Sequence, residues 1–124
     1  VKLQLGELRP IMDALPAVLD KEIPAKTAYW LARAFKQIGP EFEPFEKARQ
    51  KLVEKHAKRD KKGKLIVKDN IHPMKDMEAF NKEYTELAGQ EIEIKYEPIT
   101  VEQLGDAKIK GNDILMLGRL IKEE

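Results

Sequence analysis

Residues 24–59 read PAKTAYWLARAFKQIGPEFEPFEKARQKLVEKHAKR. Ala28, Leu31, Phe35, Ile38, Phe42, Phe45, Arg49, Leu52 and His56 recur in this stretch at alternating steps of three and four residues. That is the spacing of a helical seam that meets one partner surface. All but Arg49 and His56 are apolar. The pattern predicts a helix over 24–59, about 50 Å long at 1.5 Å per residue. Pro24 suits its first turn. Gly39-Pro40 and Pro44 interrupt it, because an internal proline removes one backbone hydrogen bond and crowds the preceding turn. The seam stays in phase on both sides, so a kink or short break is expected there without a change of face.

A helix of this length needs a partner surface. Met77, Phe80, Tyr84 and Leu87 repeat the three-four spacing and predict a second helix over 74–88, with Gly89 at its C-terminal cap. The two form a helical hairpin, with the turn Asp60-Lys61-Lys62-Gly63, the β-prone Leu65-Ile66-Val67 and the loops at Asp69-Asn70 and His72-Pro73 at its end. Residues 47–68 hold ten Lys or Arg and two acids, while 76–97 hold seven acids and two Lys. Arms of opposite sign favour antiparallel pairing, although each exposed pair contributes little and apolar burial dominates.

Toward the N-terminus, Val1, Leu3 and Leu5 alternate with Lys2 and Gln4 as in a half-buried strand. Leu8, Ile11, Met12, Leu15, Val18 and Leu19 share a helical face, predicting a helix over 8–20 that Pro16 kinks or ends. Beyond the second seam, Ile92, Ile94 and Tyr96 alternate with Glu91, Glu93 and Lys95, predicting a strand over 91–96 that pairs with 1–5. Thr100 and Gln103 have capping-box spacing. Asn112 is placed to cap a last helix carrying Ile114 to Ile121, and the tail 122–124 should fray. The expected fold is a single α+β domain over 1–124, mostly helical: a long kinked helix packed antiparallel on a shorter one, with a small antiparallel sheet.

A hydrophobic fraction of 42% with a formal charge of +1 argues against disorder and against a protein that is basic overall. The chain has no Cys, which excludes disulfides, thiolate metal sites and cysteine nucleophiles. That fits an intracellular protein without requiring one. No apolar run approaches the roughly 18 residues that span a bilayer, and the alternating N-terminus does not read as a signal peptide.

Few residues carry a chemical signal. The basic segment 51–64, with Lys58, Arg59, Lys61 and Lys62, could meet phosphates, or could be a solvated helix end. No aromatic residue interleaves with it for base stacking. Arg49 on the seam could fix register, reach a partner's carboxylate or turn outward. Trp30, beside Tyr29, could anchor an interface or pack in the core. His56 and His72 lack metal-ligand spacing. Glu91 and Glu93 share a strand face with no nucleophile near them, so a solvent face is the plainer reading. No phosphate loop, dinucleotide fingerprint or nucleophile triad is present. A small hydrolase would need a pocket with perturbed carboxylates, and nothing in the sequence requires one. No cofactor, no metal and no enzymatic activity are expected.

Pro24-Ala25-Lys26-Thr27-Ala28-Tyr29 with Arg33, and Phe45-Glu46-Lys47-Ala48-Arg49-Gln50-Lys51-Leu52-Val53, resemble a family of small phage and prophage proteins of unknown function. The likeness extends through Lys62-Gly63-Lys64 and residues 91–104. Members of that family are often encoded among virion and tail genes, and the resemblance transfers no catalytic residue. It implies a non-enzymatic phage accessory protein, in the host cytoplasm or on the virion, that binds another protein or a second copy through leftover seam and Trp30. The alternative is a nucleic-acid-binding accessory that uses 51–64. No membrane partner is expected.

Overall fold

The computed structural model describes residues 1–122; the frayed tail expected at 122–124 lies, for 123 and 124, outside them. The order is β1 (Lys2–Gln4), α1 (Leu8–Leu19), α2 (Ala25–His56), α3 (Met77–Ala88), β2 (Glu91–Glu93) and α4 (Gly111–Met116). Short 3-10 turns lie at Leu5–Glu7, Glu102–Leu104 and Gly118–Leu120. The fold is α+β and mostly helical, organised by the long helix α2. Among the described residues, no helix is long and apolar enough to cross a membrane.

The two halves of the seam have different partners. Leu31, Ala34 and Ile38 are buried in one core with Leu8, Ile11, Ala14, Leu15 and Val18 of α1. Leu3, Ile94, Tyr96, Ile99, Leu104, Leu117 and Leu120 close that core. Further along, Phe45 and Leu52 are buried too. There α3 runs back antiparallel to α2: Ala48 and Leu52 face Glu83, Glu86 and Leu87, and His56 meets Phe80 edge-on with ring centroids 6.0 Å apart. Phe80 stacks in turn on Tyr84. The part of the seam beyond the shorter helix, expected to fall to the 8–20 helix and then to the C-terminal helix or a second chain, is covered by α1 and the C-terminal segment, and α3 covers the other half.

Of the kink or short break expected at 39–44, the break does not occur; α2 is one helix of 32 residues. Pro40 and Pro44 lie four apart on its exposed face, where their rings meet solvent, while Ile38 and Phe45 are anchored on the buried side. Tertiary burial at both flanks outweighs the local proline cost. Pro16 behaves alike: it is exposed within α1, which runs on to Leu19. Pro24 is the N-cap of α2, not a first-turn residue, and its carbonyl accepts the Ala28 amide at 2.9 Å.

β1 pairs antiparallel with β2, with Lys2, Leu3 and Gln4 opposite Glu93, Ile92 and Glu91. The ladder is shorter than the alternation predicted. Ile94 and Tyr96 still point inward, and the Tyr96 hydroxyl donates to the Leu120 carbonyl at 2.9 Å. Burial pushes the Tyr96 phenol pKa up. The second helix starts at Met77, not 74, because the Asp76 carboxylate caps it by accepting the Ala79 amide. Gly89 closes it in a right-handed conformation, where a Cβ would lie 3.0 Å from the Thr85 carbonyl.

Thr100 and Gln103 form the capping box, each side chain accepting the other's amide, yet it opens only the turn Glu102–Leu104. Asn112 does not cap α4; Lys110 does, and Asn112 sits inside the helix. The last helix is also split, because Gly118 adopts φ +53 and starts a separate turn.

Candidate interaction surface

Beyond His56 the chain leaves α2 and builds a small ribbon before α3 begins. Ala57 pairs with Met74 and Arg59 with Leu65, both antiparallel. The Lys58 amide donates to the Pro73 carbonyl, and the Lys58 carbonyl accepts the Ile66 amide. Residues 57–59 thus lie between 65–66 and 73–74. Two turns fold the ribbon. In the first, Asp60 Oδ1 accepts the amides of Lys62 and Lys64 at 2.8 and 3.0 Å, and Gly63 adopts φ +80. In the second, Asp69 and Asn70 both adopt positive φ, 54° and 63°, and Lys68 and Ile71 exchange amide-to-carbonyl bonds at 2.8 and 2.9 Å. That is the two-residue hairpin turn for which Asp and Asn are suited. His72 Nδ1 lies 3.0 Å from the Ile66 carbonyl and joins the strands again.

This ribbon carries an uncommon combination on its surface. Lys58, Lys61, Lys62, Lys64 and Lys68 are exposed, and none has an ion-pair partner among the described residues. Among them stand Val67 and Ile71, 60% and 65% exposed. Arg59 is turned back instead. Its guanidinium donates to the Gly63 carbonyl at 2.8 Å and to the Glu54 carbonyl at the end of α2 at 3.4 Å, so it holds the first turn onto the helix.

Other singled-out residues serve the fold. Trp30 is half-buried, edge-on to Tyr96 at 6.3 Å and to Tyr29 at 5.4 Å. The Arg33 guanidinium lies over both rings of the Tyr29–Trp30 pair and donates to the Tyr29 hydroxyl. Tyr29 is the exposed member of this group, not Trp30. Arg49 faces no free partner site: it binds Glu46 at 3.0 Å, and Glu46 also accepts from Arg9 at 3.1 Å. Burial tends to raise the Glu46 pKa, but the hydrogen bonds and charges of Arg49 and Arg9 outweigh it and hold the carboxyl below its ordinary value.

The histidines stand apart in role. His56 Nε2 lies 3.4 Å from Glu83 Oε2 and makes no hydrogen bond, while His72 belongs to the ribbon. No group of three or more His, Asp or Glu among the described residues is placed to hold a metal. Glu91 and Glu93 are exposed along β2.

The opposite charges of the two arms meet at one point. Lys55 binds Glu83 at 2.7 Å, and this hydrogen bond from Lys55 lowers the Glu83 pKa, with His56 adding to it. Lys58, Lys61, Lys62, Lys64 and Lys68 lie past the start of α3, and Glu86 and Glu91 lie at its far end. Between α2 and α3 at that end runs a shallow groove made of two hollows, of about 390 and 310 Å³, that share Leu87 and Gln90. Its floor is Phe45, Ala48, Leu52 and Leu87, and its rim carries Glu41, Glu83, Glu86 and Glu91.

Reasoning from the sequence pointed to the lysines and missed Val67 and Ile71. The signal for them was present: two apolar residues flank Lys68-Asp69-Asn70, a turn too tight to bury them. No family model, curated protein or solved structure matches the chain.

Proposed function

We propose that this chain is a non-enzymatic accessory protein that works by protein–protein contact, made by the ribbon at the end of the α2–α3 arm. The observation that carries this reading is that Val67 and Ile71 are exposed among five lysines without ion-pair partners among the described residues, on a backbone already braced by hydrogen bonds. Apolar residues ringed by polar ones are the anatomy of a protein interface, and a braced turn loses little conformational freedom on binding. The resemblance of 24–29 with Arg33 and of 45–53 to small phage and prophage proteins suggests the setting, an accessory made alongside virion or tail proteins.

Nucleic acid is the second reading, favoured by the same lysines. It fits less well. Bases would find no aromatic residue on the ribbon, and a duplex lying along the arm would meet the carboxylates of α3 and β2.

A photo-crosslinking amino acid at position 67, used in cells making the protein beside its genomic neighbours, separates the two. Protein adducts that vanish with Ile71→Asp are expected. Adducts to nucleic acid, or none, would overturn the reading.

A further inference from the structure

Apart from Lys55 and Glu83, the opposite charges of the ribbon and of the groove rim are separated along the arm and are not paired with each other among the described residues. From Ala57 back to Ala48 is about 14 Å of helix at 1.5 Å per residue, and the Glu86–Glu91 end of the groove lies further still. The ribbon is the cationic part, with Lys58, Lys61, Lys62, Lys64 and Lys68 exposed around Val67 and Ile71. The groove is the anionic part, its rim formed by Glu41, Glu86 and Glu91, exposed and without ion-pair partners among the described residues, beside the partly exposed Ala48 and Leu87. The two surfaces are complementary in charge, and they are set apart along the arm.

We propose that the ribbon of one copy docks into the groove between α2 and α3 of a second copy. This rests on the protein-contact reading above and names the partner. The contact is head-to-tail: a copy whose ribbon is engaged still offers its own groove. Such a contact propagates into a ring or a filament and does not stop at a symmetric pair. The near-zero net charge favours the same occupant. A chain with a formal charge of +1 and segregated signs is attracted to itself in the right orientation, whereas a polyanion is drawn to one end and repelled by the other.

The test is sedimentation of the purified chain with two variants, Ile71→Asp on the ribbon and Glu86→Lys/Glu91→Lys on the groove rim. All three positions are exposed, and circular dichroism verifies that each variant is folded. Wild type should form species larger than a dimer with rising concentration, weakened at least about tenfold when salt is raised to roughly 0.5 M. Each variant alone should remain a monomer. Mixed together, they should form a one-to-one dimer that goes no further, because only the intact ribbon of one and the intact groove of the other remain.

A wild type that stays monomeric at every concentration would overturn the proposal. So would association that either variant leaves intact, or variants that stay apart when mixed. A monomeric wild type that still gives Ile71-dependent adducts to another protein would remove the self-docking and leave the protein-contact function standing. A monomer retained on DNA in a salt-dependent way, with no protein adducts, would remove both.

Discussion

Replacing Pro40 by Ala tests how α2 stays whole. Pro40 sits in the helix interior with its ring exposed, and it has no N–H to offer the Lys36 carbonyl. An interior proline costs about 3 kcal/mol relative to Ala. Part of that is offset because Ala also frees the unfolded chain, by about 0.4–1 kcal/mol. The surrounding helix has already adjusted to the ring, which lowers the recoverable part again. The net expectation is a gain of about 1–2 kcal/mol, which for a domain of this size is a rise in melting temperature of roughly 4–10 °C. Thermal unfolding followed by far-ultraviolet circular dichroism reads it directly. Gly39→Ala is the companion: its Cβ would find only Met12 Cε, 4.0 Å away, so the residue should add helix propensity at no steric cost. A fall in melting temperature for Pro40→Ala would refute the reasoning. It would mean that the proline shapes the path by which α2 reaches both α1 and α3.

Phe45, 3% exposed between α2 and the start of the groove, should cost about 3–5 kcal/mol as Phe45→Ala, read by chemical denaturation. Tyr96→Phe should cost about 1 kcal/mol in the same assay, because the Leu120 carbonyl keeps the Ile99 amide as a second donor. Glu46 has a folded pKa below its ordinary 4.5. Its contribution is therefore complete above the unfolded carboxylate range and is lost as pH falls through the depressed folded value. Wild type should exceed Glu46→Gln in stability at neutral pH, and the difference should close only below that range; a constant difference down to strong acid would contradict the assignment.

The apolar periodicity made the architecture legible. Leu31, Ile38, Phe45 and Leu52 are the buried residues of one long stripe, and the 91–96 alternation correctly separated inward Ile94 and Tyr96 from outward Glu91, Glu93 and Lys95. What periodicity does not encode is the partner of each half of the stripe. A repeat of three and four residues says that a face is covered without deciding by what, so the C-terminal helix and a second chain stood as alternatives for the part that Leu117 and Leu120 cover. The prolines misled for a related reason: their local cost is visible in the sequence, whereas the burial on either side that outweighs it is tertiary.

Charge was legible as composition and not as position. The counts over 47–68 and 76–97 implied pairing along the arms, yet among the described residues Lys55–Glu83 is the one Lys–Glu contact between them, because Lys58, Lys61, Lys62, Lys64 and Lys68 lie beyond the start of α3. Arg49 was singled out by its place on the seam and Trp30 by residue type, and each makes contacts within the fold, with Glu46 and with Tyr96. Val67 and Ile71 became informative only when the ribbon left both exposed among the lysines.

The chain has no cysteine, so single thiols can be introduced without competition. Ile71→Cys at the ribbon and Ala48→Cys in the groove, each alone and then mixed under mild oxidation, report on docking directly. Head-to-tail contact predicts a disulfide dimer of one variant with the other and little of either with itself. No mixed dimer, or Ile71→Cys joining chiefly to itself, would contradict it.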